Sequence, residues 1–149
     1  MRMGAELPPW QPRQTAPVQQ PRLVVALDSS GSIPPATLRL FLAEITGIVR
    51  RMSAELRLIV FDEDIRSETS LNSATIRRTL ADLALPEGGG TDFRPVMARA
   101  AQLRPAALVL LSDMEGPMGK AMPGLRVIWA CPAAEPPRAP FGHVLSLAR

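Results

Sequence analysis

The chain has 149 residues with a single cysteine, a single histidine and a formal net charge of +3, enough for one ordinary domain that buries roughly two-thirds of its unfolded surface. Cys131 and His143, each alone, exclude a disulfide framework, a Cys/His zinc cluster and an H-E-x-x-H protease site. Apolar runs fall well short of the ~20 residues of a membrane span, and Met1-Arg-Met-Gly-Ala lacks the apolar core of a signal peptide, so a cytoplasmic protein with no membrane partner is expected.

Residues 1–21 are rich in proline and glutamine and show no hydrophobic period, the pattern of an extended arm or linker, with Trp10 alone suited to docking on the body. The domain proper is expected over residues 22–149. Residues 23–27 (LVVAL) form an unbroken apolar run, as expected of a strand buried on both faces of a parallel sheet. Ser32 is a suitable N-cap for a helix with Pro34 and Pro35 in its first turn. Leu38, Leu42, Ile45, Val49 and Met52 then recur at helical spacing.

Residues 55–62 (ELRLIVFD) predict a second strand, and residues 65–71 alternate well enough to return beside it as an antiparallel hairpin edge whose outward charges protect it. Residues 73–85 predict an amphipathic helix through Ile76, Leu80 and Leu83, ending before Pro86. After Gly88-Gly-Gly90 a helix is predicted over 94–103, then strands over 107–112, 126–131 and 143–147. Alternating strands and helices joined by short crossovers predict an α/β, mainly parallel, doubly wound sheet.

Three loops of that sheet carry oxygen-bearing side chains. Asp28-x-Ser30-x-Ser32 follows the first strand, Thr91-Asp92 follows the three glycines, and Asp113 closes the strand at 107–112. Ligands of open parallel sheets bind beyond the carboxyl ends of the strands, where Asp28 and Asp113 both fall. Two ionised carboxylates at ~5 Å repel by about 3 kcal/mol at an effective dielectric of ~20; a divalent cation relieves that repulsion. Asp28→Ala would also relieve it, so a cation-free Asp28→Ala chain is expected to be no less stable than wild type. Hard oxygen ligands suit magnesium best, with manganese or calcium as alternatives. Taken singly, the serines are ordinary helix-capping residues; the ordered set points to a metal site. Asp62-Glu63-Asp64 reads as a solvated turn, Asp92 as a helix cap, Glu115 as a surface residue, His143 as structural or surface, and Cys131 as a small buried apolar residue.

These three loops together resemble the metal-ion-dependent adhesion site of von Willebrand factor A (VWA) domains, over residues 22–149. The wording of LVVALDSSGSI, IVFD, GGGTDFRP, LSDMEGP and PFGHV is similar to the C-terminal VWA-like domain of bacterial DUF2201 proteins. The resemblance implies a six-stranded, three-layer sheet of order 3-2-1-4-5-6 with strand 3 an antiparallel edge. It also implies a metal set of Asp28, Ser30, Ser32, Thr91 and Asp113, with the hydroxyls coordinating directly and the carboxylates often acting through water. Relatives carry a preceding metallopeptidase-like region and accompany MoxR-type AAA+ ATPases. Residues 1–21 hold no such region, as expected either of a short stand-alone member or of a piece of a longer protein, and residues 148–149 leave no room for the C-terminal helix of larger A domains, so peptidase activity is not carried over.

The expected function is a metal-dependent protein-interaction module, not an enzyme, that recruits an Asp or Glu of a protein partner, with an adaptor role beside a MoxR-type ATPase. The alternative is a magnesium-dependent hydrolase of phosphate esters. Against it, Ser30 stands where haloacid-dehalogenase-like phosphatases place a second aspartate, and Lys120 is the only lysine of 17 basic residues. A nucleic-acid partner is not expected, because the basic residues are spread along the chain and aromatics are few.

Overall fold

The computed structural model describes residues 21–52, 55–85 and 88–148. The expected arm up to residue 20, Trp10 included, lies outside the described residues, as do Pro86 and Arg149. In chain order the elements are β1 (Leu23–Asp28), α1 (Pro35–Arg51), β2 (Leu56–Phe61), β3 (Ile65–Leu71), α2 (Ile76–Ala81), α3 (Arg94–Leu103), β4 (Ala107–Leu111), β5 (Val127–Cys131) and β6 (His143–Ser146).

The six strands form one sheet of order β3-β2-β1-β4-β5-β6, parallel throughout except for β3, which returns antiparallel along β2. This is the architecture the sequence predicts. The apolar run of β1 is central because both its faces are covered: Val24 to Leu27 have no exposed surface. On one face Phe41, Ile45 and Val49 of α1, with Ile76 of α2, pack against Val25, Leu27, Leu58 and Val60. On the other, Val96, Met97, Ala100 and Leu103 of α3 cover Val24, Ala26, Ile59, Phe61, Leu108, Leu110 and Trp129. Each large side chain so buried contributes about 1.5–3 kcal/mol, which is why the helical stripes and the continuous strands select each other.

Local structure departs from expectation in three places. Ser32 does not cap α1; the cap position is Pro34, with no side-chain cap, because the Ser32 hydroxyl is spent on Asp113. The helix expected over 73–85 is regular only from Ile76 to Ala81. Asn72 Oδ1 accepts the N–H groups of Ala74 and Thr75, and such a local bond holds the backbone in a turn that competes with an earlier helical start. The charge on β3 does not all face outward: Glu68 lies opposite Ile59 and accepts bonds from Arg57 Nη1 at 2.6 Å, Arg99 Nε at 2.6 Å and Arg99 Nη2 at 2.8 Å.

That ion cluster ties β2, β3 and α3 together at the sheet edge. The Arg99 guanidinium holds the Glu68 carboxyl below the usual glutamate range, with Arg57 adding to the effect against an opposing effect of burial. A depressed folded-state pKa stabilises at pH above the unfolded value of about 4.3, and this stability is lost as pH falls through the lower folded value. Glu68→Gln is therefore expected to lower stability by about 1.5–3 kcal/mol near neutral pH and to flatten the acid side of the stability curve. Denaturant melts at pH 7 and pH 3.5 check this; an equal loss at both pH values would show that the charge is not what matters.

Candidate metal centre

The carboxyl edge of β1 and β4 brings the oxygen-bearing loops together. Asp28, the last residue of β1, has no exposed surface. Its Oδ1 accepts the Ser30 N–H at 2.9 Å, which folds the loop back over the strand end. Ser30 Oγ and Ser32 Oγ share a bond at 3.2 Å, and Ser32 Oγ donates to Asp113 Oδ2 at 2.8 Å. Asp28, Ser30, Ser32 and Asp113 thus form one chain of contacts from the end of β1 to the turn after β4. Ser30 is buried, while Ser32 is exposed and Asp113 half-buried, so the chain runs from interior to surface.

Thr91 enters from the glycine loop. Gly31 N–H donates to the Gly89 carbonyl at 3.0 Å, seating that loop on the Asp28 loop. On its other side Thr91 backs onto Gly116: a Cβ there would stand 2.6 Å from the Thr91 carbonyl oxygen and 3.0 Å from its Cβ. Thr91, half-buried, thus backs onto the turn after Asp113 and is tied to the Asp28 loop through the glycines before it; among the described residues its hydroxyl makes no hydrogen bond to the other four. Asp113 Oδ1 accepts the Glu115 N–H at 3.1 Å; the Glu115 side chain is exposed. Between them Met114 is buried with a left-handed φ of 67°, a conformation that costs a non-glycine residue on the order of 1–3 kcal/mol and turns the chain sharply away from β4.

Burial pushes the Asp28 carboxyl above the ordinary aspartate range, opposed by the bonds from Ser112 and Ser30, and the charge of Asp113 adds to the rise. Ser112 is a member that sequence reasoning missed: its hydroxyl, wholly buried, donates to Asp28 Oδ2 at 2.6 Å and accepts the Met114 N–H at 2.9 Å. This changes the expectation for Asp28→Ala without cation. The substitution strands the Ser112 hydroxyl and the Ser30 N–H, so relief of repulsion is not its only effect.

Asp62 is the second surprise. The turn after β2 is solvated at Glu63 and Asp64 but not at Asp62, which is 3% exposed. Burial raises its pKa, but the bonds from Arg66 and the Asp64 N–H outweigh this and hold the carboxyl below the usual range; Arg66 Nε stands 2.7 Å from Oδ1. Oδ2 lies where a Cβ on Gly89 would sit, at 2.8 Å, and Gly89 has a φ of +87°. Gly89 is thus needed to clear Asp62, whereas a Cβ on Gly90 would meet Glu63 and one on Gly88 would meet nothing within 4 Å. The Asp62 carbonyl accepts the Asp92 N–H at 2.9 Å, so Asp62 positions the loop that carries Thr91. The signal in the sequence was an acidic residue closing an apolar strand, the same as for Asp28.

Asp92 does not cap α3 in the expected way; the cap position is Phe93. Its carboxylate accepts the Arg94 N–H at 3.0 Å and the Arg94 guanidinium at 2.7 Å, and the Arg94 bond holds it below the usual range. Cys131 is buried, with its thiol pushed up by that burial, and His143 is exposed. No three carboxylate, imidazole or thiol groups converge among the described residues. A cation at this crest would therefore rely on hydroxyl oxygens beside two carboxylates.

The sheet order, the antiparallel β3 edge and the crest loops define an α/β domain of VWA-like architecture. A family description, VWA-like domain (DUF2201), matches residues 23–148, and the chain belongs to that family. No curated protein sequence matches the chain. No helix among the described residues is long and apolar enough to cross a membrane.

Proposed function

We propose that the crest holds a divalent cation and uses it to recruit an acidic side chain of a partner protein. The observation that carries this reading is the contact chain Asp28, Ser30, Ser32 and Asp113, with Thr91 backed onto Gly116 and its glycine loop bonded to Gly31. The donor set fits a hard cation. It is all oxygen, it joins two carboxylates to neutral hydroxyls, and its innermost carboxylate is buried where an uncompensated charge is costly. Magnesium suits these donors best, with manganese and calcium as the other candidates. Two negative ligands leave a divalent ion with room for a further anionic ligand, which an Asp or Glu of a partner would supply.

Ser30, Ser32 and Thr91 would hold the cation directly, and Asp28 and Asp113 would balance its charge. Ser112 and Asp62 would keep Asp28 and the glycine loop in place. On this reading the crest binds a partner and does not catalyse. The resemblance to proteins that accompany MoxR-type ATPases makes such an ATPase the first partner to assay.

Thr91→Ala removes one ligand without touching either core. Capture of the partner in magnesium is expected to weaken at least tenfold, about 1.4 kcal/mol, and wild-type capture is expected to be lost on chelation. Titration calorimetry with an acidic partner peptide, with and without chelator, checks both. Chelator-insensitive capture that survives Thr91→Ala and Asp113→Ala would place recognition on another surface.

A further inference from the structure

We propose that the outer half of the α1 face of the sheet, over β4, β5 and β6, docks an amphipathic helix of a partner protein whose apolar stripe is flanked by acidic residues. The site is separate from the crest.

Strand register shows where cover is lacking. Parallel partners share a face, so Val25, Val109, Ile128 and His143 form one row across the sheet, and Leu27, Leu111, Ala130 and Leu145 the next. Along the first row Val25 is fully buried, Val109 and Ile128 are half-buried, and His143 is exposed. Along the second, exposure is 0%, 1% and 3% and then 47% at Leu145, the one large apolar side chain exposed to that degree among the described residues. The opposite face shows no such gradient: Val127, Trp129 and Cys131 of β5 stay buried under α3 and the segment around Ala139 and Phe141. On the α1 face, the described helices α1 and α2 pack with the β1 and β2 side. Parallel strands are ordinarily covered on both faces; among the described residues, cover on the α1 face is complete at Ala130 but incomplete at Ile128, His143 and Leu145.

The chemistry of the uncovered strip selects its occupant. A shallow cleft of about 340 Å³ opens where the start of β5 meets β6; Arg126, Ile128, His143 and Leu145 line it from the strip, and Leu125 and Val127 from the opposite core. Its floor is apolar, its polar side chains are Arg126 and His143, and no acidic residue lines it. Arg126 is exposed and makes no ion pair among the described residues. An apolar floor beside unpaired positive charge fits a helix with leucine-type residues at i, i+3, i+4 and i+7 and glutamate or aspartate beside them. A second copy of this chain is disfavoured, because a two-fold contact sets the basic rim against itself. The arm of this chain is disfavoured too: residues 1–20 carry Arg2 and Arg13 against Glu6 alone.

The test uses the full chain as bait for a displayed library of amphipathic helices with randomised residues flanking a fixed apolar stripe. Enrichment of acidic flanks is expected. Binding of the enriched peptides should fall at least tenfold in Leu145→Asp and at least fivefold in Arg126→Glu, and should be unchanged in Thr91→Ala, which separates this face from the crest. Leu145→Cys supplies an accessibility reading, because Cys131 is buried: the introduced thiol should react with maleimide at the rate of a free thiol until an enriched peptide is added. Four results would overturn the proposal. They are no enrichment, enrichment of basic flanks, binding indifferent to both Leu145→Asp and Arg126→Glu, or an introduced thiol already shielded in the free chain by its own arm or by a second copy.

Discussion

Asp28→Asn is expected to abolish the cation-dependent rise in melting temperature while leaving the cation-free protein at least as stable as wild type. A ligand that binds only the folded state stabilises by RT ln(1 + [L]/Kd), about 2.7 kcal/mol at a hundredfold excess over Kd, and this whole gain should vanish. The amide keeps the local geometry: its oxygen can accept the Ser30 N–H, and the Ser112 hydroxyl can turn to accept from the amide nitrogen. What is lost is a negative charge that burial already disfavours. Asp28→Ala behaves differently, because it leaves the buried Ser112 hydroxyl and the Ser30 N–H without an acceptor, at a cost of about 1–3 kcal/mol. Thermal melts of wild type and both variants, across a magnesium titration, separate the roles. Retention of most of the magnesium gain in Asp28→Asn would remove Asp28 from the cation site.

Trp129→Ala is expected to cost about 3–5 kcal/mol. Trp129 is fully buried in β5, meets Phe93 edge-on with ring centroids 5.0 Å apart and Phe141 at 5.8 Å, and donates from Nε1 to the Phe141 carbonyl at 2.9 Å. The alanine variant leaves a cavity between α3 and the segment that leads to β6, and frees a carbonyl. Trp129→Phe keeps a ring in the cavity and loses the hydrogen bond, so its cost should be nearer 1 kcal/mol. Urea unfolding of the three proteins gives the ordering; a loss below 1 kcal/mol for Trp129→Ala would mean that this half of the core contributes little.

The apolar run of β1, the helical stripe through Ile45 and Val49 and the alternation of β3 each report burial through a short-range period, and the observed sheet follows from them. The oxygen-bearing residues were legible for the same reason: Asp28 and Asp113 close apolar strands, and strand ends of a parallel sheet share one edge. Sequence by itself therefore determined the fold class and which strand ends carry oxygen-bearing side chains, but not the parts taken by Ser112 and Asp62. It could not say which hydroxyl meets which carboxylate, because Ser32 with Asp113 and Ser112 with Asp28 are bonds across more than eighty residues. Locally, Ser32 offers a helix cap; only the arrival of Asp113 from the neighbouring strand gives its proton a better acceptor. Asp62 is of the same kind. In sequence it belongs to an acidic turn, and it is buried because the glycine loop folds down over it and Arg66 supplies the compensating charge. The half-covered face of β5 and β6 was equally invisible, since a period-two pattern marks which residues share a face but not whether a helix lies across it. Tertiary structure decided these points because each depends on the free energy of contacts between segments that meet only after the sheet has formed.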